Sequence, residues 1–277
     1  MISPAVKQWM VLGTGPASAK TSFSLGLCRI LADRGIRVAP FKAMAIISQE
    51  DVLAGFDPIR PALGVFHQSG ACRLTADHDM NPLVVVQTEP RRGELRLRGE
   101  PVGEVELLNR DAVRADLLPA GLRERIEAAI HEAYYSLRER FEALVVEGAG
   151  SPVELPPAFD WANHLVARMS LAPLLLVTRF SMGGAAAALL GTLTCLEPEL
   201  RARMLGYVLS DVGAPDAVNH ARALIERHTS LRALGIIPRV EHGVVPKGTS
   251  TNYEPAYAGW AQAIARSIAL EHLGPPF

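Results

Sequence analysis

Gly13-Thr14-Gly15-Pro16-Ala17-Ser18-Ala19-Lys20-Thr21 is the stretch whose reading decides the fold. It follows the apolar run Trp9-Met10-Val11-Leu12 and leads into residues 22–34, which are apolar at helical spacing. A strand, a glycine-containing loop, Lys-Thr and then a helix aim backbone N–H groups and a helix N-terminus at phosphate. In the pattern G-x-x-x-x-G-K-[ST] the lysine reaches the terminal phosphates and the following hydroxyl sits on Mg²⁺. Lys20 and Thr21 stand in those two places. The strict pattern fails twice, because Thr14 takes the first glycine position and Ala19 the one before Lys20. Taken alone, the loop reads either as a phosphate cradle or as a strand-to-helix turn whose glycines permit tight geometry.

Outward from the loop, the runs at residues 143–146, 173–177 and 205–209 are short, continuous and apolar, the pattern of strands covered on both faces. Further short strands are expected at 38–41 and 234–238. Helical spacing recurs at 120–142, 159–170, 183–196 and 214–228. Strand and helix in alternation imply an α/β fold with a doubly wound, mostly parallel sheet. Residues 84–87 and 94–98 flank a turn near 91–93 and predict a small antiparallel excursion. Residues 241–257 read as loop and 258–273 as a closing helix, and the whole chain, 1–277, is read as one domain.

Composition excludes several classes. The 28 Lys+Arg against 29 Asp+Glu leave a formal net charge of −1, which provides no broad basic field for nucleic acid or anionic lipid. The start has four apolar residues in a row, too few for a signal-peptide core or a membrane span, so the protein is expected to be cytoplasmic. Cys28, Cys72 and Cys195 are widely spaced, which fits neither a disulfide framework nor a zinc site, and Cys28 and Cys195 read as buried, inert thiols. Arg91, Arg92, Arg96, Arg98 and Arg110 form a basic patch, but Glu89, Glu94, Glu100, Glu104 and Glu106 interleave with it, as on a solvated face. Asp160 reads as a helix N-cap or, with Asn163, as a crevice residue.

Several further clusters accompany the loop in order: Pro40-Phe41-Lys42, Asp79-Met80-Asn81-Pro82, Glu147-Gly148-Ala149-Gly150-Ser151-Pro152, Gly183-Gly184, Leu196-Glu197-Pro198-Glu199 and Gly235-Ile236-Ile237-Pro238. Over roughly residues 8–240 the sequence resembles the N-terminal, ATP-binding synthetase domain of cobyric acid synthase, a P-loop NTPase-type relative of dethiobiotin synthetase. The resemblance implies ATP and Mg²⁺ as cofactors and a corrinoid-type carboxylate, from cobalamin biosynthesis, activated as an acyl phosphate that ammonia converts to an amide. It implies that Gly13, Thr14, Gly15, Ser18, Ala19, Lys20, Thr21, Ser210 and Pro238 contact the nucleotide. Thr21 and Glu147 would ligate Mg²⁺, while Lys20 and Lys42 would act on the transferring phosphoryl group. On the residues alone, a strand-end glutamate also serves as a turn carboxylate, and an exposed lysine after a strand is ordinary.

The sequence departs from that family where the chemistry lies. Met44-Ala45-Ile46 replaces a polar Gln-Asn-Met, Arg60 falls near a family glutamate, and Arg179-Phe180-Ser181-Met182 replaces a stretch with two carboxylates. Ser210 stands where an asparagine reads adenine. The family's glutaminase domain does not follow, so ammonia is expected from a separate glutaminase subunit or from solution. His67 and His78 flank the substrate-side segment. Two alternatives accompany the ligase reading: a catalytically degenerate homologue that acts as a ligand-binding or partner subunit, and a ParA-like, nucleotide-switched homodimer.

Overall fold

In the computed structural model, which describes residues 6–109, 112–119, 121–240 and 252–277, the chain opens with β1 (Lys7–Gly13), α1 (Lys20–Asp33) and β2 (Val38–Phe41). β3 (Met44–Ile47), α2 (Gln49–Leu53) and α3 (Leu63–Ala71) lead to β4 (Leu83–Glu89), β5 (Arg92–Leu97), β6 (Glu100–Asn109) and β7 (Ala112–Val113). After α4 (Leu122–Arg140) come β8 (Ala143–Glu147), α5 (Val166–Ser170), β9 (Leu174–Arg179), α6 (Ala185–Cys195) and α7 (Pro198–Arg201). The last elements are β10 (Met204–Val212), α8 (Asn219–His228), β11 (Ala233–Pro238) and α9 (Glu254–Ser267).

Six strands form a parallel sheet in the order β11-β10-β9-β1-β8-β2. β1 lies inside it because its side chains are apolar on both faces. Met10 and Leu12 enter one core with α4, α6 and α8, while Trp9 and Val11 enter the other with α1 and α9. This period-2 division is what a strand sandwiched between helices requires. Each such fully buried apolar side chain contributes about 1.5–3 kcal/mol.

The antiparallel excursion is larger than residues 84–98 alone announce. It is a five-stranded sheet in the order β3-β4-β5-β6-β7, with β3 parallel to β4 and the rest antiparallel. Its turn lies at Pro90 and Arg91. Leu83, Val85, Leu95, Val105 and Leu107 share the core of Met10 and Leu12. The segment 159–170, expected as one helix, is a π-helical turn at Trp161–Leu165 followed by the short α5. The closing helix starts at Glu254, earlier than expected, while residues 241–251 of the expected loop lie outside the described residues, as does Arg110. Arg96 and Arg98 are paired with Glu94 and Asp79 at 2.5 and 2.7 Å, and Arg96 and Asp79 are largely buried, so this patch is only partly the solvated face expected. Cys28 and Cys72 are buried, but Cys195 at the end of α6 is exposed. No helix among the described residues is long and apolar enough to cross a membrane.

Candidate functional site

The carboxyl ends of the parallel strands surround a cavity of about 770 Å³. Ligand crevices form there because strand order reverses about β1, so the loops on either side part. The lining comes from the loop after β1 (Pro16 to Ser22), from Lys42 after β2, and from Glu147, Ala149 and Gly150 at the end of β8. Arg179 and Ser181, Ser210 and Asp211, and Arg239 close it on the side of β9, β10 and β11. Four cations, Lys20, Lys42, Arg179 and Arg239, face two carboxylates, Glu147 and Asp211, an excess of two positive charges among the described lining residues. Such a cavity fits a multiply charged anion in size and in sign.

The loop builds an anion-facing turn in spite of its sequence. Ala17 and Ala19 both have left-handed backbones, at φ 55° and 73°. Ala19 immediately precedes α1, which explains why glycine suits that position; holding alanine there costs about 1–2 kcal/mol. Left-handed residues alternating with ordinary ones turn successive N–H groups to one side, the geometry of an anion nest. Lys20 is 7% exposed, and its Nζ donates to the carbonyls of Gly15 at 2.9 Å and Gly150 at 2.8 Å and to Ser18 Oγ at 3.3 Å. The ammonium therefore stitches the loop to the end of β8. Gly13 makes room for it: a Cβ there would lie 2.0 Å from Ser18 Oγ and 2.7 Å from Lys20 Cγ.

At the other wall, Glu147 is 1% exposed and carries the densest set of contacts. Its Oε1 accepts from Thr21 Oγ1 at 2.8 Å and from Lys42 Nζ at 2.8 Å, and its Oε2 accepts from Gln68 Nε2 of α3. Parallel pairing explains how Lys42 arrives, since Phe41 lies opposite Val146 and the next residue after each is Lys42 and Glu147, the latter at the carboxyl end of β8. Burial opposes the charged form of Glu147, but the Lys42 ammonium, the charge of Lys20 and the Thr21 hydroxyl outweigh it and hold the carboxyl below its ordinary range.

The third wall replaces the expected adenine reader. Ser210 is fully buried and its hydroxyl has no hydrogen-bond partner among the described residues. Asp211, in a left-handed conformation at φ 58°, accepts from Arg179 Nε at 2.7 Å, Arg239 Nε at 2.9 Å and the Ser181 hydroxyl. Despite partial desolvation, these donors lower the Asp211 pKa to about 2. The positive charge that Arg179 introduces is thus compensated by a carboxylate next to Ser210 that sequence reasoning passed over. On the α3 side, burial lowers the His67 pKa to about 4, so its ring is neutral; its Nδ1 lies 2.9 Å from Tyr257 Oη.

Several expected site residues stand elsewhere. Pro238 is exposed at the end of β11, and Arg239 and Val240 line the cavity in its stead. Arg60 is 64% exposed and pairs with Asp57 at 3.5 Å, because the turn after α2 carries it to solvent away from the carboxylates it was expected to replace. Gly13, Thr14 and Gly15 shape the loop without lining the cavity, and the Thr14 hydroxyl is held by that of Thr178 at 2.9 Å. His78 packs against Gly99 and stays outside the cavity. Asp160 accepts from Asn163 N at 2.8 Å, capping the turn, and lines an adjoining, largely apolar cavity of about 260 Å³ with Met44 and Trp161, which shares Pro16, Ala149 and Gly150 with the first. Gln68, Asp211 and Arg239 were missed; for Asp211 the signal was available, a polar residue at the carboxyl end of a strand.

Thr21 and Glu147 would offer a divalent metal one hydroxyl and one carboxylate. Mg²⁺ is held by one or two carboxylates and phosphate oxygens in octahedral geometry. Beside Thr21 stands one carboxylate, Glu147, which accepts from Thr21, Lys42 and Gln68 and keeps further acceptor capacity, so phosphate oxygens would supply the remaining ligands. Among the described residues no group of three or more His, Cys, Asp or Glu is placed to hold an ion. Lys42 pairs with Glu147 on the oxygen that also accepts from Thr21.

A parallel sheet wound on both faces, with a strand-loop-helix turn opening on a cationic cavity, defines an α/β protein of the P-loop type. Comparison with known sequences narrows this: the chain is a cobyric acid synthase homologue. It is 33% identical over 243 residues to cobyric acid synthase of Herpetosiphon aurantiacus, which covers 86% of this chain and 46% of that protein. It is 34% identical over 268 residues to cobyric acid synthase of Mycolicibacterium gilvum, covering 95% of this chain and 52% of that protein. The chain thus spans about half the length of the curated relatives it matches. A family profile described as AAA domain matches residues 111–246. Cobyrinic acid a,c-diamide synthase from Mycobacterium smegmatis, solved with ADP and magnesium, superposes with a TM-score of 0.47 at 16% identity, over 98% of this chain and 97% of that one.

Proposed function

We propose that this chain is an ATP-dependent, carboxylate-activating ligase domain of the cobyric acid synthase kind. The observation that carries the reading is the convergence of Lys20, Thr21, Lys42 and Glu147 on one cavity at the mouth of α1, within the span of homology to those synthases. In this reading the triphosphate lies against residues 16–22 with Lys20, Lys42 and Arg179 around it. The substrate carboxylate oxygen attacks the γ-phosphorus, the bond to the β-phosphate oxygen breaks, and ADP leaves. Ammonia or another amine then attacks the acyl carbon, expelling inorganic phosphate and losing a proton to give the amide. Side-chain cations act by countering charge on the transferring phosphoryl group.

The substrate is a small-molecule carboxylate, and the amine comes from a separate glutaminase or from solution. We read the chain further as one domain working in the cytoplasm without nucleic acid or membrane as partner, and as a homodimer. Calorimetry with ATP on the wild type and Lys20→Ala, followed by ADP release with candidate carboxylates and ammonium, tests the reading. ATP binding lost in the variant, and ADP release that requires a carboxylate, are expected. A wild type that shows no heat of binding at millimolar ATP rules it out.

One observation favours a second reading, a homologue that binds without catalysing. The Lys20 ammonium is engaged by the carbonyls of Gly15 and Gly150 and so already serves a structural purpose. Under that reading Lys20→Ala lowers stability but leaves the cellular role intact.

A further inference from the structure

We propose that the apolar cavity adjoining the loop after β1 receives the body of the substrate, and that this substrate is a compact monocarboxylic acid with an uncharged, apolar body rather than a corrinoid. The role of the acid rests on the ligase reading above, whereas its binding does not. Met44, Ala112, Val113, Trp161 and Ala162 are at most 4% exposed, and their side chains bound a cavity of about 260 Å³. Apolar walls of that extent bury a ligand body of like polarity, and a few polar groups orient it. Since a cavity of about 150 Å³ holds benzene, this one takes a body of roughly ten heavy atoms, far fewer than a corrin macrocycle contains. Trp161 Nε1 donates to Glu127 of α4 at 3.4 Å, outside this lining, so the polar atom of the indole is used elsewhere.

Charge fixes which end of the ligand goes where. The cavity shares Pro16, Ala149 and Gly150 with the cationic one, and Lys20 Nζ donates to the Gly150 carbonyl on that common wall at 2.8 Å. Its own described lining holds two carboxylates, Asp160 and Glu154, and no cation. A ligand carboxylate is therefore drawn to the common wall, and the body extends towards Val113, Phe159 and Trp161. A second carboxylate on that body would be repelled by Asp160 and left without a counter-ion. A cationic tail would have to give up its hydration among apolar walls, with Glu154 exposed to water and both Asp160 oxygens already accepting from Asn163.

Calorimetry on the full chain tests this with octanoate and 3-phenylpropionate, with octanedioate and 8-aminooctanoate as analogues of matched length that carry a second charge, and with cobyrinic acid. Both monocarboxylates are expected to bind and to compete with each other, and the doubly charged analogues to bind at least about tenfold more weakly. Ala162→Leu, which fills the cavity, is expected to weaken octanoate binding at least about tenfold and to leave ATP affinity as it was. Thermal melting establishes that the variant is folded, and Leu155→Trp replaces it if it is not. With ATP, Mg²⁺ and ammonium present, ADP release is expected with the monocarboxylates and not with cobyrinic acid. Monocarboxylates that fail to bind, a charged-tail analogue that binds as tightly as octanoate, or unchanged octanoate affinity in the folded variant overturns the proposal. ADP release that only cobyrinic acid elicits also overturns it, and leaves the ligase reading standing. Octanoate bound by a chain that binds no ATP defeats the ligase reading instead and upholds the ligand site.

Discussion

Lys42 and Glu147 are 105 positions apart in sequence and meet at 2.8 Å, one residue beyond the parallel pair formed by Phe41 and Val146. Glu147 is almost fully buried and Lys42 largely so. Breaking one side of such a pair leaves an uncompensated charge, which costs more than the intact pair contributes.

Lys42→Met is accordingly expected to destabilise the protein by about 2–4 kcal/mol, and Glu147→Gln by a comparable amount. The double variant should recover part of the loss. Urea unfolding of the wild type, both single variants and the double variant measures this coupling. Additive single effects would mean that the two side chains do not act as a pair.

Ala19 pays for its left-handed backbone, at φ 73°, at the first turn of α1. Ala19→Gly is expected to raise stability by up to about 1 kcal/mol, relief of strain outweighing the greater freedom of glycine in the unfolded chain. Ala19→Val, branched at Cβ, should lower stability instead. Melting temperatures of the three proteins give the order directly.

Gly13→Ala should close the space in which Lys20 runs, since the added Cβ would lie 2.0 Å from Ser18 Oγ. Moving Ser18 and Lys20 aside is expected to cost about 1–3 kcal/mol of stability. Because the anion-facing turn moves with them, ATP affinity should drop at least tenfold, about 1.4 kcal/mol. Calorimetry on the folded variant is the check; unchanged affinity would separate the loop from nucleotide binding.

His67 supplies a pH dependence with a definite sign. Its folded pKa is lowered from 6.5 to about 4 by burial among Phe66, Tyr253 and Tyr257. The unfolded chain therefore binds the proton more tightly, and the contribution is fully present above about pH 6.5 and is lost as pH falls towards 4. Stability should decrease by about 2–3 kcal/mol across that window. In His67→Phe the slope between these pH values should flatten, which denaturant titrations at pH 7 and pH 4.5 would reveal.

The parallel sheet was legible because β1, β8, β9 and β10 are short apolar runs, and only strands covered on both faces read that way. The five-stranded sheet was half legible: β4 and β5 flank a turn, while the alternation of glutamate with apolar residues in β6, a strand signal, was read only as a solvated face, and β3 is four residues long, too short for a periodic signal. Lys20, Thr21, Lys42 and Glu147 were singled out by their places in motifs, and the fold gathers them on one cavity. Arg60 and Pro238 were misplaced because spacing along a chain does not tell on which side of a turn a residue emerges.

The sequence by itself determined the element types, the strand-loop-helix turn at residues 13–21 and the cationic residues available to an anion. Only the tertiary structure decided which of them act together. Gln68 reaches Glu147 across 79 positions, Thr21 reaches it across 126, and Arg239 reaches Asp211 across 28. These distances are set by strand register and by the packing of α3 against α1, which depend on the whole buried core, so no local pattern encodes them. The same register brings a lysine expected to act on phosphate against a carboxylate expected to hold metal.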